Sequence, residues 1–321
     1  EQAAADEGTH VSIEQLRQLR RDALRLSAAP ADAVGSLFPG AYRALFHGRG
    51  IEFDETRNYQ WGDDYRTLDW RVTARTGQMH TKLFHEERER TLYLVLDVGP
   101  TMQFGSRVQL KWVLAARIAA LFAWLAAACG DRVGISLFGD ASRAHFRPPA
   151  GGEPGVLKIF HLLTGLQFDE PGGKSDLSDA LLHLRRQARP GSLILLLSDF
   201  ISLDSNAKRH LAHLGRHNAL AAIRITDPLE AELPPSGIYP ITDGVGEALL
   251  DSSAVALRDD YRLEFSRRQE ELQAAFRQYG ARFITMSTHL ELVEALREGL
   301  LPSAIQPRQG QKRGRRDGRR A

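Results

Sequence analysis

Cysteine is almost missing from this 321-residue chain: Cys129 is the only one, so no internal disulfide can form. That excludes a small secreted module stapled by bridges, and a reducing, intracellular setting is the expectation. Cys129 sits in an apolar helical stretch with no basic residue in the preceding turn, which predicts inert core packing.

Long uncharged apolar runs are missing too. The most apolar stretch, VLAARIAALFAWLAAAC (113–129), is interrupted by Arg117 and follows Lys111, and its uncharged part, Ile118 to Cys129, has 12 residues. A membrane span needs about 20, so this reads as a buried helix of a soluble domain. The acidic opening EQAAADEGTH lacks the basic start and apolar core of a signal peptide, and a cytoplasmic chain is expected.

Net charge of either sign is small, at +2, but it is unevenly placed. Of 42 basic and 40 acidic residues, seven basic (Arg308, Lys312, Arg313, Arg315, Arg316, Arg319, Arg320) and one acidic (Asp317) lie in the tail, which leaves the body near −4. The tail has no aromatics for base stacking, so nucleic-acid binding through it would be a salt-sensitive contact and no more. With 43% hydrophobic and 26% charged residues, the rest has the composition of a folded protein and excludes a disordered one.

Four zones follow from the patterning. Residues 1–34 contain an amphipathic helix at 11–28, with Ile13, Leu16, Leu19 and Leu24 at helical spacing. Residues 35–90 are rich in Gly, Asp, Arg and aromatics, with one strand near 78–85. Residues 91–301 alternate strands and helices. TLYLVLD (91–97), DRVGISLFG (131–139), a short strand near 142–147, SLILLLSD (192–199), ALAAIRITD (219–227) and RFITMS (282–287) read as strands. Helices are predicted near 107–128, 154–165, 176–189, 205–217, 257–279 and 288–300, with Gly130 ending the first. A Pro/Gly-rich excursion covers 233–246. Residues 302–321 form a basic tail with nothing to bury. The alternation predicts an α/β fold, an open and mainly parallel sheet with helices on both faces, Rossmann-type.

In such a sheet, ligands bind beyond the carboxyl ends of the strands. Two apolar strands end in a carboxylate there, Asp97 and Asp199. A buried isolated charge is costly, so each needs a metal, a helix N-terminus or a basic partner. Thr101 lies four residues after Asp97, and Ser175 opens a helix from the Gly-rich loop GGKSDL. Two carboxylates and two hydroxyls suit Mg²⁺; helix capping, with Asp199 serving the helix after Phe200, is the plainer alternative. The metal reading requires Asp97 and Asp199 to converge in a pocket open to solvent.

Other signals are weaker. GGKS lacks the first glycine of a P-loop, since that position is Phe168. Asp97-x-Gly99-x-Thr101 is close to the nucleophile signature of haloacid dehalogenase-like phosphatases, which leaves a metal-dependent phosphatase or hydrolase using Asp97 as an alternative function. Gly99 stands where that chemistry keeps its general acid. His210, His213 and His217 share a helix face without a nearby carboxylate and read as a solvated face.

The Asp97, Thr101, Ser175 and Asp199 arrangement resembles a von Willebrand factor A-type domain, whose metal site takes Asp-x-Ser-x-Ser after the first strand, a Thr from a second loop and an Asp from a third. The resemblance implies Mg²⁺ on Asp97, Thr101, Ser175 and Asp199, with Gly99 and Asp176 as possible loop contributors. Gly99 removes one hydroxyl ligand, so an ion would be held less tightly than in the family's standard site. A longer resemblance covers about 35–300. GRGIEFDETRNYQWGDDYRTLDWRVTART (48–76), KLFHEERERTLYLVLD and TDPLEAELPPSGIYPITD (226–243) are similar to the family called domain of unknown function 58, with the core Gly62, Asp63, Asp64, Arg66, Asp69 and Trp70. That family resemblance implies a von Willebrand A-like, non-enzymatic adaptor that docks a MoxR-type AAA+ ATPase or its client. The arginines, carboxylates and aromatics of 48–76 would form either a brace against the sheet or a partner-binding surface.

Overall fold

A computed structural model describes residues 8–27, 56–59, 68, 70–82, 89–140, 145–168, 176–242, 246–293 and 296 of the chain. Its centre is a six-stranded sheet formed by β3 (Thr91–Asp97), β4 (Arg132–Phe138), β5 (Phe146–Gly151), β6 (Leu193–Ser198), β7 (Ala219–Thr226) and β10 (Arg282–Ser287). Their spatial order is β10-β7-β6-β3-β4-β5. Five strands are parallel, and β5 runs antiparallel to β4 at the edge. The expected α/β sheet is therefore present, with one antiparallel edge. β5 meets the strand expected near 142–147 at Phe146 and Arg147, with 142–144 outside the described residues, and it runs on through Pro148 and Pro149, which edge strands tolerate.

The apolar runs form central strands because both faces are covered. On β3, Leu92, Leu94 and Leu96 face one core, while Tyr93 and Val95 face the other. The first core holds the helices Ile13–Ser27, Lys111–Ala128 and Gly152–Thr164. The second holds Leu177–Gln187, Ser205–Leu214 and the end of Val255–Gln278. The N-terminal helix thus belongs to the main core: Leu16 is fully buried, and the Trp124 indole N–H donates to the Leu16 carbonyl at 3.1 Å.

Lys111–Ala128 is the one helix among the described residues long and apolar enough to cross a membrane, and it is buried against the sheet. Gly130, in the left-handed region at φ 78°, follows its end as expected. Cys129 departs from expectation. It is exposed, because the last turn emerges beyond the core.

Two further strand pairs lie outside the main sheet. β1 (Thr56–Asn58) pairs with β2 (His80–Lys82), and the helix Trp70–Thr76 lies between them in sequence. β8 (Ile238–Thr242) and β9 (Glu247–Asp251) make an antiparallel hairpin that starts in the Pro/Gly-rich excursion and runs past its end, which periodicity had not revealed. The helix expected at 288–300 is present at 292, 293 and 296.

Candidate functional site

Strand order reverses at β3: β4 lies on one side of it, while β6, reached after β5 and two helices, lies on the other. The carboxyl ends of β3 and β6 are therefore the switch point at which open α/β sheets place ligands. Asp97 and Asp199 both sit there. Leu96 pairs with Leu197, so Asp97 lies opposite Ser198 and beside Asp199.

The two carboxylates converge as expected, but they do not open to solvent. Asp97 is 4% exposed and Asp199 3%. Asp97 Oδ1 accepts the Gly99 amide at 2.9 Å, and its Oδ2 accepts the Ser198 hydroxyl at 2.6 Å. Asp199 Oδ1 accepts the Ile201 amide at 3.0 Å, and its Oδ2 accepts the Lys111 ammonium at 2.9 Å. Capping of the next helix falls to Asp204, which accepts from Ala207 N–H at 2.7 Å. Of the three ways to satisfy Asp199, the chain uses the basic partner.

Lys111 is fully buried at the first turn of the central helix and also donates to Glu230 at 2.5 Å. Burial pulls its pKa down, but Asp199 and Glu230 outweigh burial and leave it raised. Glu230 in turn accepts the Asp227 amide, completing a capping box with Asp227 on the short helix Pro228–Ala231. Asp227 Oδ2 accepts the Ser106 amide at 2.8 Å and the Thr288 hydroxyl at 2.6 Å. Burial pushes Asp227 up, but hydroxyls of Ser106 and Thr288 with the Leu229 and Ser106 amides hold it below the usual carboxylate range. Three loops, after β3, β7 and β10, are tied by this one carboxylate.

Asp97 has no cation of its own. Burial pushes its pKa up to about 7, with the Asp199 charge adding to the rise and the Ser198, Gly99 and Lys111 contacts opposing it. Backbone packs tightly around it. Gly139 has φ 104°, and a Cβ there would meet Gly99 N at 2.4 Å and Asp97 Oδ1 at 2.6 Å. Phe200, after Asp199, is the one described non-glycine residue with positive φ, at 58°. Arg268 from the long helix donates to the Phe200 and Ile201 carbonyls, both at 3.1 Å.

The remaining site residues divide. Thr101 is exposed in the 3-10 turn Pro100–Gln103, and Asp176 is exposed at the start of Leu177–Gln187 without a side-chain capping bond. Ser175 lies outside the described residues, as do Gly62, Asp63, Asp64, Arg66 and Asp69. Trp70 is 68% exposed and does not act as a buried aromatic anchor. His213 and His217 are exposed as expected, while His210 is half-buried and bonded to Arg185 at 2.9 Å.

The described donors do not fit Mg²⁺ well. Each oxygen of both carboxylates already accepts a protein hydrogen, Asp199 faces an ammonium, and Gly99 offers no side chain. Among the described residues no group of three or more His, Cys, Asp or Glu could hold a metal ion.

Lys111, Ser198, Glu230, Asp227 and Gly139 were not foreseen as site residues. Lys111 had a legible signal: it is the one charge opening a helix whose first six residues are all buried. Glu230 and Asp227 also form a readable Asp-x-x-Glu cap.

The chain belongs to the family described as protein of unknown function DUF58, whose model matches residues 55–271. It is 29% identical over 250 residues to the uncharacterized protein Rv1480 of Mycobacterium tuberculosis, covering 78% of each chain. A 41-residue stretch is 46% identical to the uncharacterized protein YeaD of Bacillus subtilis, covering 13% of this chain and 10% of that one. Among solved structures, the conserved hypothetical protein BatB of Bacteroides thetaiotaomicron is similar at a TM-score of 0.40 and 14% identity, covering 66% of this chain and 97% of that one. An aerotolerance-related membrane protein of Bacteroides fragilis is similar at a TM-score of 0.41 and 14% identity, covering 66% and 98%. Likenesses this distant carry nothing about activity.

Proposed function

We propose that this chain is a non-enzymatic, von Willebrand A-like adaptor in the cytoplasm. Its sheet-top loops dock a protein partner, a MoxR-type AAA+ ATPase or that ATPase's client, by shape and charge and without Mg²⁺. The observation that carries this reading is the pairing of a sealed polar base with an apolar rim. Asp97, Asp199, Lys111 and Asp227 are buried, with Lys111 bonded to Asp199, Asp97 to Ser198 and Asp227 to Ser106, while the loops around them display Phe104 (43% exposed), Val108 (59%) and Ile201 (53%). Exposed apolar side chains on rigidly held loops suit a protein interface. A nucleophilic role for Asp97 has less support, since a carboxylate this buried and doubly bonded cannot reach a phosphoester without rearrangement.

The test is a pull-down with purified MoxR-type ATPase, with and without EDTA. Recovery in both, lost on Phe104→Asp with Ile201→Asp, supports the reading. Recovery only without EDTA restores the metal, and no recovery in either removes this partner.

A further inference from the structure

We propose a second, unassigned site: a small-molecule pocket at the β5 edge that takes an anion carrying two phosphate groups. An open surface cleft of about 440 Å³ is lined there by His145, Arg147, Lys158, His161, Leu162 and Leu166. That volume lies in the range of small-ligand pockets. It is built from two elements. His145 and Arg147 alternate along the edge chain, which places both side chains on one face. Lys158, His161 and Leu162 stand at i, i+3 and i+4 on the Gly152–Thr164 helix, one stripe turned toward that face. The site therefore has two cationic or N–H-bearing pairs facing each other, one per element.

The chemistry of the lining is one-sided. Lysine and arginine offer only donors, and an imidazole keeps at least one N–H in either protonation state. Among the described residues no carboxylate lines the cleft, and none of its four polar side chains forms a salt bridge. Like charges gathered without a counter-charge repel, and a bound anion relieves that. Two facing donor pairs match two phosphates, since Arg and Lys recognise phosphate oxygens through charge-assisted bonds. Leu162 and Leu166 give an apolar side where a carbon skeleton can rest.

An acidic peptide added as a further strand is a poorer occupant. Pro148 and Pro149 lie in this edge strand and lack the N–H groups that strand addition requires. The site is distinct from the docking loops of the preceding section and stands whether or not they bind an ATPase.

The experiment is titration calorimetry on the full chain without divalent ions, using pyrophosphate, ATP, orthophosphate and poly-glutamate. Pyrophosphate and ATP are expected to bind more tightly than orthophosphate, with ATP ahead of pyrophosphate if the apolar side seats its nucleoside. Arg147→Glu and Lys158→Glu, both at exposed positions, should each weaken binding by about tenfold or more with unchanged thermal midpoints. Three results overturn the proposal: no binding of pyrophosphate or ATP at millimolar concentration, affinity unchanged in both variants, or poly-glutamate bound more tightly than pyrophosphate with the same residue dependence. The second would move the anion elsewhere, such as the basic stretch 308–320, and the third would make the pocket a protein contact.

Discussion

The Lys111 ammonium lies 2.9 Å from Asp199, at a depth where neither side chain is more than 4% exposed. A buried ion pair is not automatically stabilising, because removing two charges from water offsets most of their attraction. Its effect is to fix position. Lys111 joins the start of the central helix to the ends of β6 and β7, through Asp199 and Glu230. The loops around it hold their shape because a fixed positive charge stands between two negative ones.

Removing only one partner should therefore be far worse than removing both. Lys111→Met leaves Asp199 and Glu230 uncompensated, and a loss of about 3–5 kcal/mol is expected. Lys111→Met combined with Asp199→Leu should recover a large part of that loss. Urea denaturation of the four proteins in the cycle measures it, and additive losses would show that the pair is not coupled.

Gly139 is constrained by its neighbours as well as by its φ. An added methyl group would lie 2.4 Å from Gly99 N and 2.6 Å from Asp97 Oδ1. Gly139→Ala should cost about 2–4 kcal/mol, from left-handed strain together with forced separation of the two strand tips. Gly130→Ala serves as the control: it also has positive φ, but a Cβ there meets nothing within 4 Å. Its penalty should be about 1 kcal/mol. Equal losses in the two variants would mean that crowding at Asp97 is unimportant.

Much of this architecture was legible because apolar runs report burial directly. LYLVL and LILLL read as strands covered on both faces, and both lead to the acids that form the site. What remained hidden depends on distances between segments far apart in the chain. Lys111 and Asp199 are 88 residues apart, and Ser106 and Asp227 are 121 apart. Spacing alone cannot tell whether a strand-tip acid meets a metal, a cap or a lysine. The β8–β9 hairpin was hidden for another reason: nearly all of its residues are exposed, so it lacks the alternation that marks a half-buried strand.

Asp97 should make stability depend on pH. Its folded pKa of about 7 lies above the ordinary carboxylate value, so the native state holds a proton that the unfolded chain releases at lower pH. The associated stability is complete below the usual carboxylate range and is lost as pH rises through about 7. Asp227 acts in the opposite sense: its lowered pKa adds stability above the carboxylate range and removes it on acidification. Asp97→Asn should therefore gain on the parent between pH 5 and pH 8. Denaturation midpoints at both values check this, and an effect of Asn independent of pH would show that Asp97 is ionised throughout.

The apolar rim and its polar base should separate cleanly in partner binding. Phe104→Asp and Ile201→Asp alter exposed side chains, so the thermal midpoint should stay within a few degrees while capture of the ATPase falls by about tenfold or more. Arg268→Ala acts differently. It removes the donors to the Phe200 and Ile201 carbonyls, loosening the loop without altering its surface chemistry. Its effect should therefore be a slower association with the partner, because a mobile loop occupies the docking shape only part of the time. Surface plasmon resonance separates the two classes by rate: the aspartate variants should act mainly on dissociation, and Arg268→Ala on association. If Arg268→Ala binds like the parent while the aspartate variants do not, the rim alone makes the interface and the buried network serves stability only.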